Sequence, residues 1–258
     1  MKTVIFAGGL GSRISEESHL KPKPMIEIGG KPVLWHLMKL YSYYGFNEFI
    51  ICLGYKGHII KEYFANYFLY NCDVTFDLIT NQITVHENKV DDFKVTLVDT
   101  GFNTMTAGRL QRVRKYLEGE DSFMLTYGDG LSDINIYDLV SYHKLHKKIC
   151  TVSTIQPSGK FGVLEISDNN SVSAFVEKPK QSGSWINGGF FVLSSKVFDY
   201  LSGNLDDVMW EQDPMKSIQQ DGQMVAYKHF GFWKSMDILR DKMELEKLWE
   251  TTAPWKIW

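Results

Sequence analysis

Thr3-Val4-Ile5-Phe6-Ala7-Gly8-Gly9-Leu10-Gly11-Ser12-Arg13 and, after residues 14–20, Lys21-Pro22-Lys23-Pro24-Met25 make up the stretch on which the fold turns. A short apolar run ended by glycines reads as a strand buried on both faces, the kind found in parallel sheets. The polar, Gly- and Pro-punctuated segment behind it reads as a loop. Gly29-Gly30-Lys31-Pro32 then turns the chain, with Pro32 placed near a helix start. Residues 33–44 carry a helical pattern that Gly45 stops.

The same rhythm continues outward. Glu48-Phe49-Ile50-Ile51-Cys52-Leu53 is a second strand ended by Gly54, and residues 59–69 read as a helix. Phe123-Met124-Leu125-Thr126-Tyr127 is another buried strand, ended by Gly128-Asp129-Gly130; residues 136–147 form the next helix, and Thr151-Val152-Ser153-Thr154-Ile155 a later strand. Strands alternating with helical connections imply an α/β chain with a mostly parallel sheet covered on both faces. Two regions depart from this. Residues 73–99 are rich in β-branched side chains and are expected as short strands flanking the main sheet, and residues 161–193 as strands with glycine turns. Residues 237–249 read as an amphipathic helix. No repeat or linker divides residues 1–258, so one domain with elaborations is expected.

Composition narrows the function. The chain has 258 residues, 44% hydrophobic and 23% charged, which suits a folded protein rather than a disordered one. Its net charge of −3 gives no basic excess for nucleic acid, so any polyanion must meet a local cluster of cations. Cys52, Cys72 and Cys150 form no CxxC pair, which argues against a disulfide framework and for a reducing compartment. No stretch is long and apolar enough to span a bilayer, and the opening is too short for a signal peptide, so a cytoplasmic protein without a membrane partner is expected.

The chemistry points to phosphate. Glycines directly after a buried strand let backbone N–H groups approach an anion without side-chain clash, and open α/β sheets bind ligands beyond the carboxyl ends of their strands. Arg13 can fork onto phosphate oxygens, while Lys21 and Lys23 add point charges. The loop is neither a dinucleotide fingerprint, which would need a small residue at Ile14, nor a P-loop, which Ser12-Arg13 does not complete. Asp129, between two glycines after its strand, belongs at the same sheet edge.

These residues resemble the sugar-1-phosphate nucleotidyltransferases. The likeness runs from Gly-Gly-x-Gly-Ser-Arg, Lys-Pro-Lys-Pro and Gly-Gly-Lys-Pro through Tyr127-Gly128-Asp129-Gly130, Phe161-Gly162, Val176-Glu177-Lys178-Pro179 and Ile186-Asn187-Gly188-Gly189 to Gly231-Phe232-Trp233 and Met236-Asp237. Residues 60–68, 96–101 and 105–110 and Ala253-Pro254-Trp255-Lys256 are similar to the bacterial members that use CTP and glucose 1-phosphate. The resemblance implies a Rossmann-like mixed, mostly parallel sheet flanked by helices, with small added β elements. It implies in-line attack of a sugar 1-phosphate on the α-phosphorus of CTP, a step of positioning and charge neutralisation, in the service of bacterial surface-polysaccharide (O-antigen) synthesis. It makes Lys23 and Arg13 catalytic, and places the nucleotide on Phe6, Ala7, Gly8, Gly9, Leu10, Gly11, Ser12, Thr104, Arg109 and Gly128. The sugar phosphate falls to Gly162, Glu177, Lys178, Asn187 and Gly188, and Mg²⁺ to Asp129 and Asp237. A homo-oligomer, specifically a hexamer, is also implied. Ser12 stands where the family often has Thr, which keeps the hydroxyl.

Simpler readings stand beside these. Asp129 could be a turn residue, Asp237 a helix-start carboxylate complementing the dipole, and Arg109 a surface cation. Lys21 could exchange roles with Lys23. His143 and His146 read as a solvated helix face, since two ligands make no metal site. The five tryptophans at 210, 233, 249, 255 and 258 mark either a subunit contact or this chain's own core. Rival functions are the same transfer with UTP or TTP or another phosphorylated acceptor, and a nucleotide-sensing module on the same fold.

Overall fold

A computed structural model of the chain describes residues 1–86, 90–157, 163–166, 171–176 and 184–258. Its centre is a seven-stranded sheet of β1 (Thr3–Phe6), β2 (Glu48–Leu53), β3 (Lys94–Asp99), β4 (Ser122–Tyr127), β5 (Cys150–Ile155), β6 (Ile186–Ser194) and β7 (Met224–Lys228), in the order β7-β5-β6-β4-β1-β2-β3. β1 pairs parallel with β2 and β4, β2 with β3, and β5 with β7, while β6 runs antiparallel to both its neighbours. The mixed, mostly parallel sheet expected from the sequence is therefore present.

β1 alternates its side chains between two cores. Val4 and Phe6 face a cluster with Leu110, Phe191 and Trp210, while Ile5 and Ala7 face one with Leu34, Leu37, Tyr41 and Ile60. Helices α1 (Val33–Tyr43), α2 (Gly57–Ala65), α3 (Thr106–Arg112), α4 (Ile136–His146), α5 (Asp213–Gln220) and α6 (Leu239–Thr251) accompany the sheet. The chain leaves β1 toward β2 and β3, then returns to place β4 on β1's other side. That reversal opens a crevice at the carboxyl ends of β1 and β4.

Several sequence readings change. Residues 94–99 are not a flanking element: they add β3 in parallel to the edge of the main sheet, while the hairpin Val74–Asp77 and Gln82–Val85 stands apart. The helix expected over 59–69 is two pieces, Gly57–Ala65 and Tyr67–Asn71. Trp210 and Trp255 are buried in this chain's own core, not held for a subunit contact. His143 is no solvated group. It is 4% exposed, because β5 runs beneath α4 and offers the Thr151 hydroxyl to both imidazoles, 2.8 Å from His143 Nδ1 and 2.7 Å from His146 Nε2.

His143 and His36 give the fold an acid limit. Burial holds each imidazole near a pKa of about 4. The unfolded chain takes up those protons near pH 6.5, so folded-state stability is complete above that pH and falls as pH drops toward 4. Each group contributes on the order of 2–3 kcal/mol of this loss. Urea unfolding from pH 7 to 4.5 should show it, with a shallower acid slope in His143→Gln; an unchanged slope would contradict the assignment. Among the described residues no helix is long and apolar enough to cross a membrane.

Candidate active site

The site is assembled by apolar neighbours. Ile14 follows Arg13, Leu131 lies two residues after Asp129, and Met236 precedes Asp237; all three are buried in one cluster with Ile26, Ile28 and Trp255. Burying each such side chain is worth about 1.5–3 kcal/mol. Packing these three together carries the charged residues beside them into one place. Backbone pairing completes it. Gly130–Ser132 runs antiparallel to Trp233–Ser235, and the Met236 N–H donates to the Asp129 carbonyl at 2.9 Å.

Lys23 sits in a single 3-10 turn, Lys23–Met25, that follows Pro22. Only 8% exposed, it donates from Nζ to Asp129 Oδ2 at 2.5 Å and to Asp237 Oδ1 at 2.9 Å. Burial opposes its charge, but the two carboxylates outweigh burial and hold the ammonium above the usual lysine range. Asp237 is likewise resisted by burial, yet Lys23, Ser235 and Arg13 hold its carboxyl below the usual range. Arg13 Nη2 lies 3.1 Å from Asp237 Oδ1. Lys21 points elsewhere, donating to Glu27 at 2.7 Å. Geometry thus separates the two lysines. It also frees Asp237 from helix capping, since Asp241 accepts the N–H groups of Asp237 and Ile238 at 2.9 and 3.0 Å.

The glycine loop is held open by side chains. Gly11 has φ +63°, and a Cβ there would lie 3.1 Å from Ser18 and 3.3 Å from Lys23. A Cβ on Gly8 would sit 2.1 Å from an Arg109 nitrogen. Arg109 is no surface cation. It is 4% exposed and reaches the Leu53 carbonyl at 2.9 Å, Thr100 Oγ1 at 2.7 Å, the Gly8 carbonyl at 3.0 Å and the Phe102 carbonyl at 3.4 Å. It therefore ties the loop after β1 to the turn after β2 and to the segment before α3. Thr104 Oγ1 accepts from Arg112 Nη1 at 2.7 Å.

These walls enclose a cleft of about 420 Å³. Residues 6–12, Lys23, Pro24, residues 102–106, Arg109 and residues 127–129 line it. Every nucleotide-binding candidate named from the sequence lines this cleft: Phe6, Ala7, Gly8, Gly9, Leu10, Gly11, Ser12, Thr104, Arg109 and Gly128. Asn187 lies beside it, its Nδ2 3.5 Å from the Tyr127 hydroxyl, and the Gly188 carbonyl is fixed by Trp233 Nε1 at 2.6 Å. Gly162, Glu177 and Lys178 lie outside the described residues.

Asp129 and Asp237 could share a metal ion. Both present a hard oxygen to the same ammonium, so two anionic donors already converge on one cationic position. Among the described residues no third His, Cys, Asp or Glu joins them. An ion there would complete its shell with phosphate oxygens and water, the habit of Mg²⁺. Sequence reasoning missed Glu211, which accepts hydrogen bonds from Tyr127 and from Thr106 in the cleft wall. It belongs to no motif, and its partners are distant in the chain.

A family model described as nucleotidyl transferase matches residues 2–237. Glucose-1-phosphate cytidylyltransferase of Salmonella typhi is 53% identical over 259 residues, covering all of both chains, and that of Salmonella typhimurium strain LT2 is equally similar. Among solved structures, HddC from Yersinia pseudotuberculosis superposes with a TM-score of 0.69 at 24% identity, covering 96% of this chain and 99% of that one, a likeness of fold.

Proposed function

This chain belongs to the nucleotidyl transferase family, and from that premise we propose that it joins CTP and α-D-glucose 1-phosphate to give CDP-glucose and diphosphate. The observation that carries the chemistry is the meeting of Lys23, Arg13, Asp129 and Asp237 beside a glycine loop at the sheet's switch point. A sensor would have no need of that set.

The reaction brings together two polyanions. In our reading the loop amides at Gly9, Leu10, Gly11 and Ser12 cradle the β- and γ-phosphates, with Arg13 against the leaving diphosphate. Lys23 meets the charge that builds on the α-phosphate as the sugar-phosphate oxygen attacks in line. Asp129 and Asp237 would hold Mg²⁺, which when bound neutralises phosphate oxygens as a Lewis acid. The base lies toward residues 102–106, where Thr104 and Arg109 shape the pocket. Asn187 and Gly188, with Gly162, Glu177 and Lys178, receive the glucose phosphate. The attacking oxygen is already ionised, so no general base is required.

Residues 1–258 act in this reading as one catalytic unit, in the cytoplasm, where Cys52, Cys72 and Cys150 stay as free thiols. The product is a donor for surface polysaccharide such as O-antigen. The chain assembles as a hexamer. Support for assembly is the hairpin spanning residues 74–85, which leaves Phe76, Leu78, Ile79 and Ile83 exposed, Ile79 at 97%. Light scattering should give about six times the chain mass; a monomer at working concentration would refute it.

Diphosphate release decides the function. A matrix of CTP, UTP and dTTP against glucose 1-phosphate and other sugar 1-phosphates should peak at CTP with glucose 1-phosphate and vanish with EDTA. A peak at another nucleotide would overturn the substrate assignment, and tight CTP binding without product would favour a sensor.

A further inference from the structure

We propose that Glu211 sets the choice of base, by fixing the direction of two hydroxyl groups in the wall of the cleft. This rests on the reading that the base lies toward residues 102–106.

Glu211 follows Trp210, which is fully buried in the core, and stands just before α5. Its carboxylate spans two wall residues. Oε2 accepts from Thr106 Oγ1 at 2.9 Å, and Oε1 accepts from the Tyr127 hydroxyl. Both Thr106, the first residue of α3, and Tyr127, the last of β4, line the cleft. Each hydroxyl also receives a hydrogen bond. The Trp210 N–H donates to Thr106 Oγ1 at 2.7 Å, and Asn187 Nδ2 lies 3.5 Å from the Tyr127 oxygen.

A hydroxyl has one hydrogen and two lone pairs, and a carboxylate has no hydrogen to return. Glu211 therefore takes the single hydrogen of Thr106 and the single hydrogen of Tyr127. What each can offer a ligand is lone-pair density only.

Cytosine carries an amino donor at the ring position where uracil and thymine carry a carbonyl acceptor. Two acceptor-only hydroxyls pair with the first and set lone pair against lone pair with the second. Sites that must hydrogen-bond a ligand reject analogues far more strongly than apolar pockets do, because a mismatched pair leaves buried groups unsatisfied. Glu211 does not touch the base in this account; it is a positioning residue acting through Thr106 and Tyr127.

The test is steady-state turnover of CTP, UTP and dTTP with glucose 1-phosphate in wild type, Glu211→Gln, Glu211→Asp and Thr106→Val. A glutamine can both donate and accept, so the hydroxyls are free to turn. In Glu211→Gln the ratio of kcat/KM for CTP over UTP should fall at least tenfold, mainly through KM, with Glu211→Asp partly restoring it. Thr106→Val keeps the side-chain shape without the hydroxyl, and should lose selectivity in the same direction. A merely structural Glu211 would lower both nucleotides alike. Wild-type preference for CTP with a ratio within twofold of wild type in Glu211→Gln and Thr106→Val would overturn the role of Glu211 alone. Wild-type preference for UTP would overturn the placement of CTP in the cleft and the proposal with it.

Discussion

Replacing Lys23 with alanine is expected to lower kcat by roughly 10³-fold, with a smaller change in KM for CTP. Removing one preorganised donor from a developing oxyanion typically costs 10²–10³ in rate, and Lys23 brings a full charge rather than a dipole. Its position is fixed, since it is buried, turned inward by the Pro22–Pro24 segment, and anchored on Asp129 and Asp237. A loss that falls on kcat marks an interaction made mainly in the transition state. The same substitution has a second readout. In the free protein the Lys23 ammonium occupies the position between the two carboxylates and competes with a divalent ion for them. Lys23→Ala should therefore tighten Mn²⁺ binding to the nucleotide-free protein by about tenfold, a difference of about 1.4 kcal/mol. Near-normal turnover would remove Lys23 from the reaction, and unchanged Mn²⁺ affinity would remove it from the metal position.

Arg109→Met should damage both fold and activity. The guanidinium serves the carbonyls of Gly8, Leu53 and Phe102 and the hydroxyl of Thr100 from one buried position. Methionine fills much of the space but takes a donor from each acceptor, leaving the Gly8 carbonyl to the Tyr55 N–H and the Leu53 carbonyl to Thr100, at about 1–3 kcal/mol for each lost bond that water cannot replace. Unfolding free energy should fall by about 3 kcal/mol or more, and kcat/KM by at least 10²-fold, since the glycine loop loses its tether to α3. Arg109→Lys should lie between, because an ammonium cannot span the fork that a planar guanidinium does. Wild-type stability in Arg109→Met would show that the cross-link does not hold the loop.

What the residues disclosed on their own follows from how local each signal is. β1, β2 and β4 announce themselves because a parallel central strand is a continuous apolar run, and a glycine closes each of them. The direction of β6 was not legible, since Ile186–Ser194 reads the same whichever way it runs in the sheet. Nor was the membership of β3, whose mostly half-buried side chains suit a flanking ribbon as well as a sheet edge. In the site, Arg13 and Lys23 lie in the segment that also carries the glycines, so charge and loop appear together. Asp237 gave no such sign: the pairing of residues 130–132 with 233–235 and the packing of Met236 against Leu131 bring it to Asp129. Glu211 was silent for the same reason, being 84 residues from Tyr127 and 105 from Thr106. His143 misled because helical spacing tells which residues share a face, and not what that face rests upon.

In the proposed mechanism main-chain amides, two cations and a shared ion hold the triphosphate where the sugar phosphate can displace diphosphate. A crystal structure with Mg²⁺ and a CTP analogue that cannot be cleaved between the α- and β-phosphates tests it most directly. The β- and γ-phosphates should rest on the amides of residues 9–12 with Arg13 beside them, and the ion should lie between Asp129 and Asp237. Lys23 should have left those carboxylates for the α-phosphate. A triphosphate seated away from the glycine loop, or Lys23 still bonded to both carboxylates with the nucleotide in place, would contradict the account.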